Sequence, residues 1–205
     1  MRSRFCMLSL IILLAKPALA DIHTGFETGL GHNAEAIGTR IPGLAFSTLS
    51  GGDVCFADIN SDWYSATSDN GKTFKTGEYF LSGDVALFVQ NQAERAKVRF
   101  TSGLASYFTI GYSSFYPFVV EAYGVSDDLL TSTSGAANSK SNGGNGISYL
   151  TVSYSGIAYV VLHDEGGFWM VDELSTDAPV PEPASLLTMI AGLVGLASAR
   201  RRASQ

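Results

Sequence analysis

The sequence predicts an all-β fold, a β-sandwich wound most simply as a jelly roll of two packed sheets. Three observations carry that prediction. Apolar residues in the body recur at period two, and a helical period of 3.6 is hard to find there. Glycine is abundant, at 22 of 205 residues, and gathers with Asn, Asp and Ser at the breaks between apolar runs. Strand follows strand with no amphipathic helix between, so sheets must bury their apolar faces on other sheets. An immunoglobulin-like sandwich is the alternative topology, and periodicity does not separate the two.

The elements follow in chain order. Arg2 and Arg4 precede an apolar core over 7–15, and Ala18-Leu19-Ala20 places small residues before Asp21, the pattern of a secretory signal peptide over 1–20. Ala18, Ala20 and Asp21 mark the expected cleavage, and the implied partners are the Sec machinery and signal peptidase. The signal helix is too short to span and stay, because Lys16 and Pro17 break the apolar run.

A single β-sandwich domain is expected over 21–175, since about 160 residues suit one core better than two. Strands are expected at 44–49, 53–59, 85–90, 98–101, 107–112, 118–123, 147–154, 157–163 and 168–174. Asp69-Asn70-Gly71 reads as a tight hairpin turn, because Asn-Gly tolerates positive φ. Lys97, Arg99 and Thr101 alternate with Val98 and Phe100, which predicts a strand with one wet face. Between Ser132 and Gly146 the apolar residues vanish, and the segment is expected to be a mobile loop. A tether at 176–179 leads out of the domain.

The end of the chain is ordered in three parts. Val180-Pro181-Glu182-Pro183 is followed by an uncharged apolar segment over 184–199 and then by Arg200-Arg201-Arg202. At about 1.5 Å per residue the apolar segment reaches roughly 24 Å as a helix, a little short of a bilayer core of about 30 Å. The arginines would hold its far end in the cytoplasm. This order resembles the PEP-CTERM sorting signal of Gram-negative bacteria. The resemblance implies an exported protein held transiently in the inner membrane by a short transmembrane helix. It also implies handling by an exosortase and delivery to the cell surface or extracellular matrix.

Formal charge is −6 for the whole chain, but six of the thirteen Lys and Arg lie in the two terminal signals. The body over 21–180 therefore carries 18 acidic and 7 basic side chains, a balance of −11. Such a surface repels nucleic acid and anionic lipid and suits a neutral polysaccharide, a divalent cation or solubility alone. Once the signal is removed Cys55 is the only cysteine, so no internal disulfide can form; a buried strand position is its expected role.

Catalytic patterns are weak. His23, His32 and His163 are scattered, with no metal-ligand spacing and no nucleophile motif. His163-Asp164-Glu165-Gly166-Gly167 reads as a hairpin turn with exposed acids. Asp58-Ile59-Asn60-Ser61-Asp62 opens like a calcium loop but lacks the glycine bend and the distal Glu, so a polar turn after a strand is expected. Aromatic side chains are the more suggestive feature. Trp63, Tyr64, Tyr112, Tyr116 and Tyr123 fall at turns or on expected outer faces and are candidates for stacking on sugar rings. Tyr149, Tyr154, Tyr159 and Trp169 are assigned to the core or the sheet surface.

Gly25-Phe26-Glu27-Thr28-Gly29 and Phe168-Trp169-Met170-Val171-Asp172-Glu173-Leu174 resemble the first and last strands of galactose-binding-like jelly rolls among carbohydrate-binding modules. That resemblance implies a structural calcium ion between a first-strand Glu and a last-strand acid, here Glu27 and Asp172. Alternation places Glu173 on the face opposite Asp172. The expected function is a non-enzymatic structural, adhesive or glycan-contacting module on exopolysaccharide. The alternative is an extracellular polysaccharide hydrolase drawing on Asp127-Asp128 and His163 to Glu165.

Overall fold

The computed structural model describes residues 21–27, 31, 33–59, 65–90 and 94–180. Both expected terminal helices, signal peptide and membrane anchor, lie outside the described residues, as do Ala18, Ala20, Trp63, Tyr64, Pro181, Glu182, Pro183 and Arg200 to Arg202. Among the described residues no helix is long and apolar enough to cross a membrane.

Fourteen strands follow one another among the described residues: β1 (Ile22–Thr24), β2 (Leu44–Thr48), β3 (Val54–Asp58), β4 (Ala66–Ser68), β5 (Thr73–Phe74), β6 (Tyr79–Leu81), β7 (Val85–Val89), β8 (Ala96–Phe100), β9 (Ala105–Ser114), β10 (Phe118–Tyr123), β11 (Leu129–Gly135), β12 (Ser148–Ile157), β13 (Tyr159–His163) and β14 (Trp169–Thr176). A 3-10 turn at Lys140–Asn142 interrupts the series. The first sheet runs β12-β9-β14-β7-β3, with β1 added to β14, and the second runs β11-β10-β13-β8-β2. Every pairing in these two sheets is antiparallel. From β7 to β10 and again from β11 to β14 the chain changes sheet at each step. This is jelly-roll winding, and it decides between the two topologies the sequence leaves open.

Alternation explains what each face buries. Phe108, Ile110 and Tyr112 of β9 meet Phe118, Val120 and Ala122 of β10, with Val98, Phe100, Val160 and Leu162, in one core. Each Val, Ile, Leu or Phe among them contributes roughly 1.5–3 kcal/mol on burial. Lys97 and Arg99 point away from that core while Ala96, Val98 and Phe100 enter it, as the alternation predicts.

A third sheet, β5-β4-β6, was not legible in the sequence. It covers the outer face of β3, β7 and β14 and closes a second core around Cys55, Ala57, Ala86, Phe88, Leu81 and Met170. Strands buried on both faces read as continuous apolar runs, which is why 54–57 and 86–89 lack alternation. Cys55 is buried there, as expected, and burial pushes its thiol pKa up.

Two expectations are corrected. The segment 132–146 begins as the last four residues of β11, paired with β10, and its Asn138 and Ser139 are buried. The stretch from β13 to β14 joins strands of different sheets, so it is no hairpin. In addition β14 reaches Thr176, and Asp177 accepts the N–H groups of Ser106 and Tyr107 at 2.8 and 3.2 Å, so the chain stays docked on β9 to at least Ala178, which is buried.

Candidate functional site

One end of the sandwich carries an aromatic cleft. The β9–β10 turn, Phe115-Tyr116-Pro117, faces the crossover 164–168, and the Phe115 N–H donates to the Phe168 carbonyl at 3.0 Å. Asp164 is what shapes the crossover. It is buried, not exposed as the sequence suggests, and its Oδ1 accepts the Gly166 N–H at 2.9 Å and the Gly167 N–H. Its Oδ2 accepts the Ser114 hydroxyl at 2.8 Å, pinning the crossover to the end of β9.

The polar segment 136–144 closes the same end. Asn138 acts as a substitute strand, its Oδ1 accepting the Ser114 N–H at 2.8 Å and its Nδ2 donating to the Tyr112 carbonyl at 2.9 Å. Asn142 Nδ2 donates to the Phe115 carbonyl at 3.0 Å. Buried backbone groups at a sheet end need such partners, and an amide supplies donor and acceptor together.

On this frame Phe115 and Phe168 meet edge to face at 6.2 Å, Tyr116 lies 6.4 Å from Phe168, and Tyr79 packs edge-on against Phe115 at 5.4 Å. Phe115, Tyr116 and Phe168 line a cleft of about 260 Å³. Tyr116 is 43% and Phe168 36% exposed. Gly166 leaves the room for this: a Cβ there would fall on the Tyr116 ring. Burial, with Asp164 and Glu78 nearby, keeps the Tyr79 phenol far above its ordinary pKa, so it stays neutral. The cleft therefore offers flat apolar surface, suited to the C–H face of a ring ligand, with Glu165 exposed in the adjoining crossover.

The other predicted aromatics are placed differently. Tyr112 is 3% exposed; its ring stacks on Phe118 at 4.9 Å inside the core and its hydroxyl donates to the Ala136 carbonyl. It points inward because β9 alternates with Phe108 and Ile110, so it is no ligand platform. Tyr123 stacks on Tyr159 at 4.9 Å with its hydroxyl on Glu121, on the outer face of the second sheet. Phe115 and Phe168 are the cleft aromatics that the sequence reading missed; Phe168 was absorbed into a strand, and its place beside a Gly-Gly turn was the available signal.

The two metal candidates converge on one turn. Four successive N–H groups after β6 are taken by carboxylates: Ser82 by Asp172 at 2.9 Å, Gly83 by Asp69 at 2.9 Å, and Asp84 and Val85 by the two Glu27 oxygens at 2.9 Å each. β1 pairs with β14, so the first and last strands do meet, although Glu27 lies just past the end of β1. Asp172 is fully buried, and its Oδ1 also accepts the Glu173 N–H at 2.7 Å. Burial pushes its pKa up to about 8; the two amides oppose this, and Glu27 and Glu173 add to it. Burial also raises the Glu27 pKa.

Simple alternation fails at Glu173. A bulge between Asp172 and Ser175, with Glu173 at φ 49°, turns Glu173 so that both acids face Gly25. Among the described residues no three His, Cys, Asp or Glu side chains gather as a metal-ligand group.

Comparison with known proteins gives two results and one blank. The chain is similar in structure to a mutant of a family 29 carbohydrate-binding module, at TM-score 0.34 and 7% identity over 65% of this chain and 90% of that one. It is also similar to a family 29 carbohydrate-binding module from Piromyces equi, at 0.33 and 9% over 65% and 91%. A Podospora anserina GH26-CBM35 β-(1,4)-mannanase matches at 0.33 and 10% over 70% of this chain and 29% of that one. No curated protein matches. Residues 179–202 match the PEP-CTERM protein-sorting motif, the resemblance carried by Pro181-Glu182-Pro183, the apolar segment and Arg200 to Arg202.

Proposed function

We propose that this is an exported, exosortase-sorted protein of the bacterial surface or extracellular matrix, whose β-sandwich is a non-catalytic adhesive module contacting exopolysaccharide. The sorting motif at 179–202 supports the destination and the exosortase as processing partner. The half-exposed Tyr116–Phe168 cleft supports the contact, because exposed rings held by a rigid frame suit sugar stacking. A body charge of −11 favours a neutral polymer over an anionic one. The rival hydrolase residues do not converge: Asp127-Asp128 follow the end of β10 that pairs with Tyr159, whereas His163 to Glu165 follow the other end of β13. Retention of the purified protein on gels containing neutral polysaccharides tests the contact. Migration matching that of an inert protein on every polymer would discard it.

We also propose that Glu27 and Asp172, with Glu173 turned to their side, are the residues that would hold a structural calcium ion. The observation favouring it is that two further carboxylates, Glu27 and Glu173, act on Asp172, which lies wholly out of water and has no cationic side chain in an ion pair with it among the described residues.

A further inference from the structure

We propose that the protein holds polysaccharide at two opposite poles and so cross-links chains, its second contact being a cleft formed by Arg99, Leu104, Gly124, Val125, Asp127 and Tyr159 that takes a neutral sugar ring. This rests on the glycan-contact reading above and extends it. The cleft encloses about 190 Å³, room for a single sugar ring rather than a drug-sized ligand.

Its chemistry is complementary to adjacent hydroxyls. Arg99 has no carboxylate within ion-pair distance among the described residues and its guanidinium lies over the Tyr159 ring, 5.9 Å from the centroid, a contact with the ring face that leaves its in-plane N–H donors for a ligand. Asp127 stands in the left-handed region at φ 60°, and the Tyr159 hydroxyl donates to its Oδ1 at 3.0 Å, which fixes the carboxylate and leaves Oδ2 to accept. Burial and Asp127 push the Tyr159 phenol up to about 12, so it remains a donor at any physiological pH. Lys97 Nζ sits 3.9 Å over the Tyr159 ring and occupies that face, making the ring a rigid floor and no stacking platform. The apolar contribution comes from Leu104 and Val125, 49% and 75% exposed, which would meet the ring's C–H groups. Two cations, Arg99 and the Lys97 over the Tyr159 ring, face two carboxylates, Asp127 and, beside Gly124, Asp128, so no net positive charge awaits an anion. Hydroxyls of a neutral sugar, able to donate to Asp127 and accept from Arg99, fit this balance.

The two clefts cannot serve one ring. Leu104 precedes β9 and Phe115 follows it, so the sites lie on the order of 30 Å apart along a ten-residue strand. Two separated contacts on one rigid body let a single molecule engage two chains.

The test uses full-length protein in detergent, mixed with a soluble neutral polysaccharide chosen from a β-glucan, a galactan and dextran by the retention assay. Wild type should thicken the solution. Arg99→Ala and Asp127→Asn should remain on the affinity gel through the aromatic cleft, with apparent affinity roughly tenfold weaker, and should no longer thicken it. Asp127→Asn keeps the left-handed backbone and an acceptor for Tyr159, so it reports on the site even if Arg99→Ala unfolds. Thickening by both folded variants equal to wild type would overturn the second contact while leaving the first intact. Absence of retention for wild type on all three polymers would reject both together.

Discussion

The wholly buried Asp172 carboxylate accepts the Ser82 N–H at 2.9 Å across ninety residues of chain, tying the last strand to the turn that opens β7. Burial holds the folded-state carboxyl up to about 8 against an ordinary 3.8, with Glu27 and Glu173 adding to the shift. The folded protein thus keeps a proton over pH 4–8 that the unfolded chain releases. The contribution is fully present below the unfolded pKa and is lost as pH rises towards 8, with a slope of up to about 1.4 kcal/mol per pH unit. Denaturant unfolding between pH 4 and 9 should show stability falling with pH, and Asp172→Asn should flatten the slope. The variant should also be less stable at pH 4, because its amide offers one acceptor to two backbone donors.

If calcium occupies the Glu27–Asp172 region, it supplies positive charge beside Asp172 and Glu27, neither of which forms an ion pair among the described residues. Calcium should then raise the melting temperature, most of all above pH 8 where Asp172 is ionised, and a chelator should lower it. Superimposable melts with calcium and with chelator would remove the ion from the account.

Gly83 is required by its neighbours. It sits at φ 62°, and a Cβ there would fall on the Glu27 carboxylate that receives the Asp84 and Val85 amides. Gly83→Ala should cost about 1–2 kcal/mol for the backbone and further for displacing Glu27. Gly71→Ala is the matched control: φ is 88° and the space around it is open, so only the backbone cost applies. Equal losses of stability for the two variants would mean that Glu27 is not clamped.

Strands with one wet face were legible because their pattern is local. β8 and β10 alternate in sequence as they do in burial. The third sheet was not, since Ala66–Ser68 and Tyr79–Leu81 are three-residue strands whose partners are set by tertiary contacts. β11 was hidden by polarity: its Ser and Thr residues pair through backbone with β10 at the rim of the sheet, where apolar side chains are not demanded. The pairing of first and last strands was readable from their motifs, whereas the bulge at Glu173 was not, because one inserted residue leaves no mark on composition. Of the aromatic site, Tyr116 was found through its turn, and Phe168 was lost to an over-long strand assignment.

Tyr116→Ala and Phe168→Ala test the aromatic cleft directly. Both rings are partly exposed, so either change should alter stability by less than about 1 kcal/mol. Loss of one stacking face should weaken retention on neutral polysaccharide roughly tenfold. Tyr112→Phe provides the contrast, as it removes a hydroxyl held inside the fold by the Ala136 carbonyl and Ser148 and should leave retention unchanged. Retention that responds to Tyr112→Phe but not to Tyr116→Ala would move the contact away from this end.

Asp164 joins stability to binding at that end. Its carboxylate holds the Ser114 hydroxyl and the two glycine amides of the crossover, and these lie against the Tyr116 ring. Asp164→Ala strands those buried donors at a cost of about 1–3 kcal/mol each where water does not enter. The crossover then loses the turn that presents Phe168 opposite Tyr116. Hydrogen exchange should rise at Gly166 and Gly167 while the β8 and β13 amides stay protected, and polysaccharide retention should fall as far as in Phe168→Ala. Retention at the wild-type level with a mobile crossover would show that the position of Phe168 does not matter to the contact.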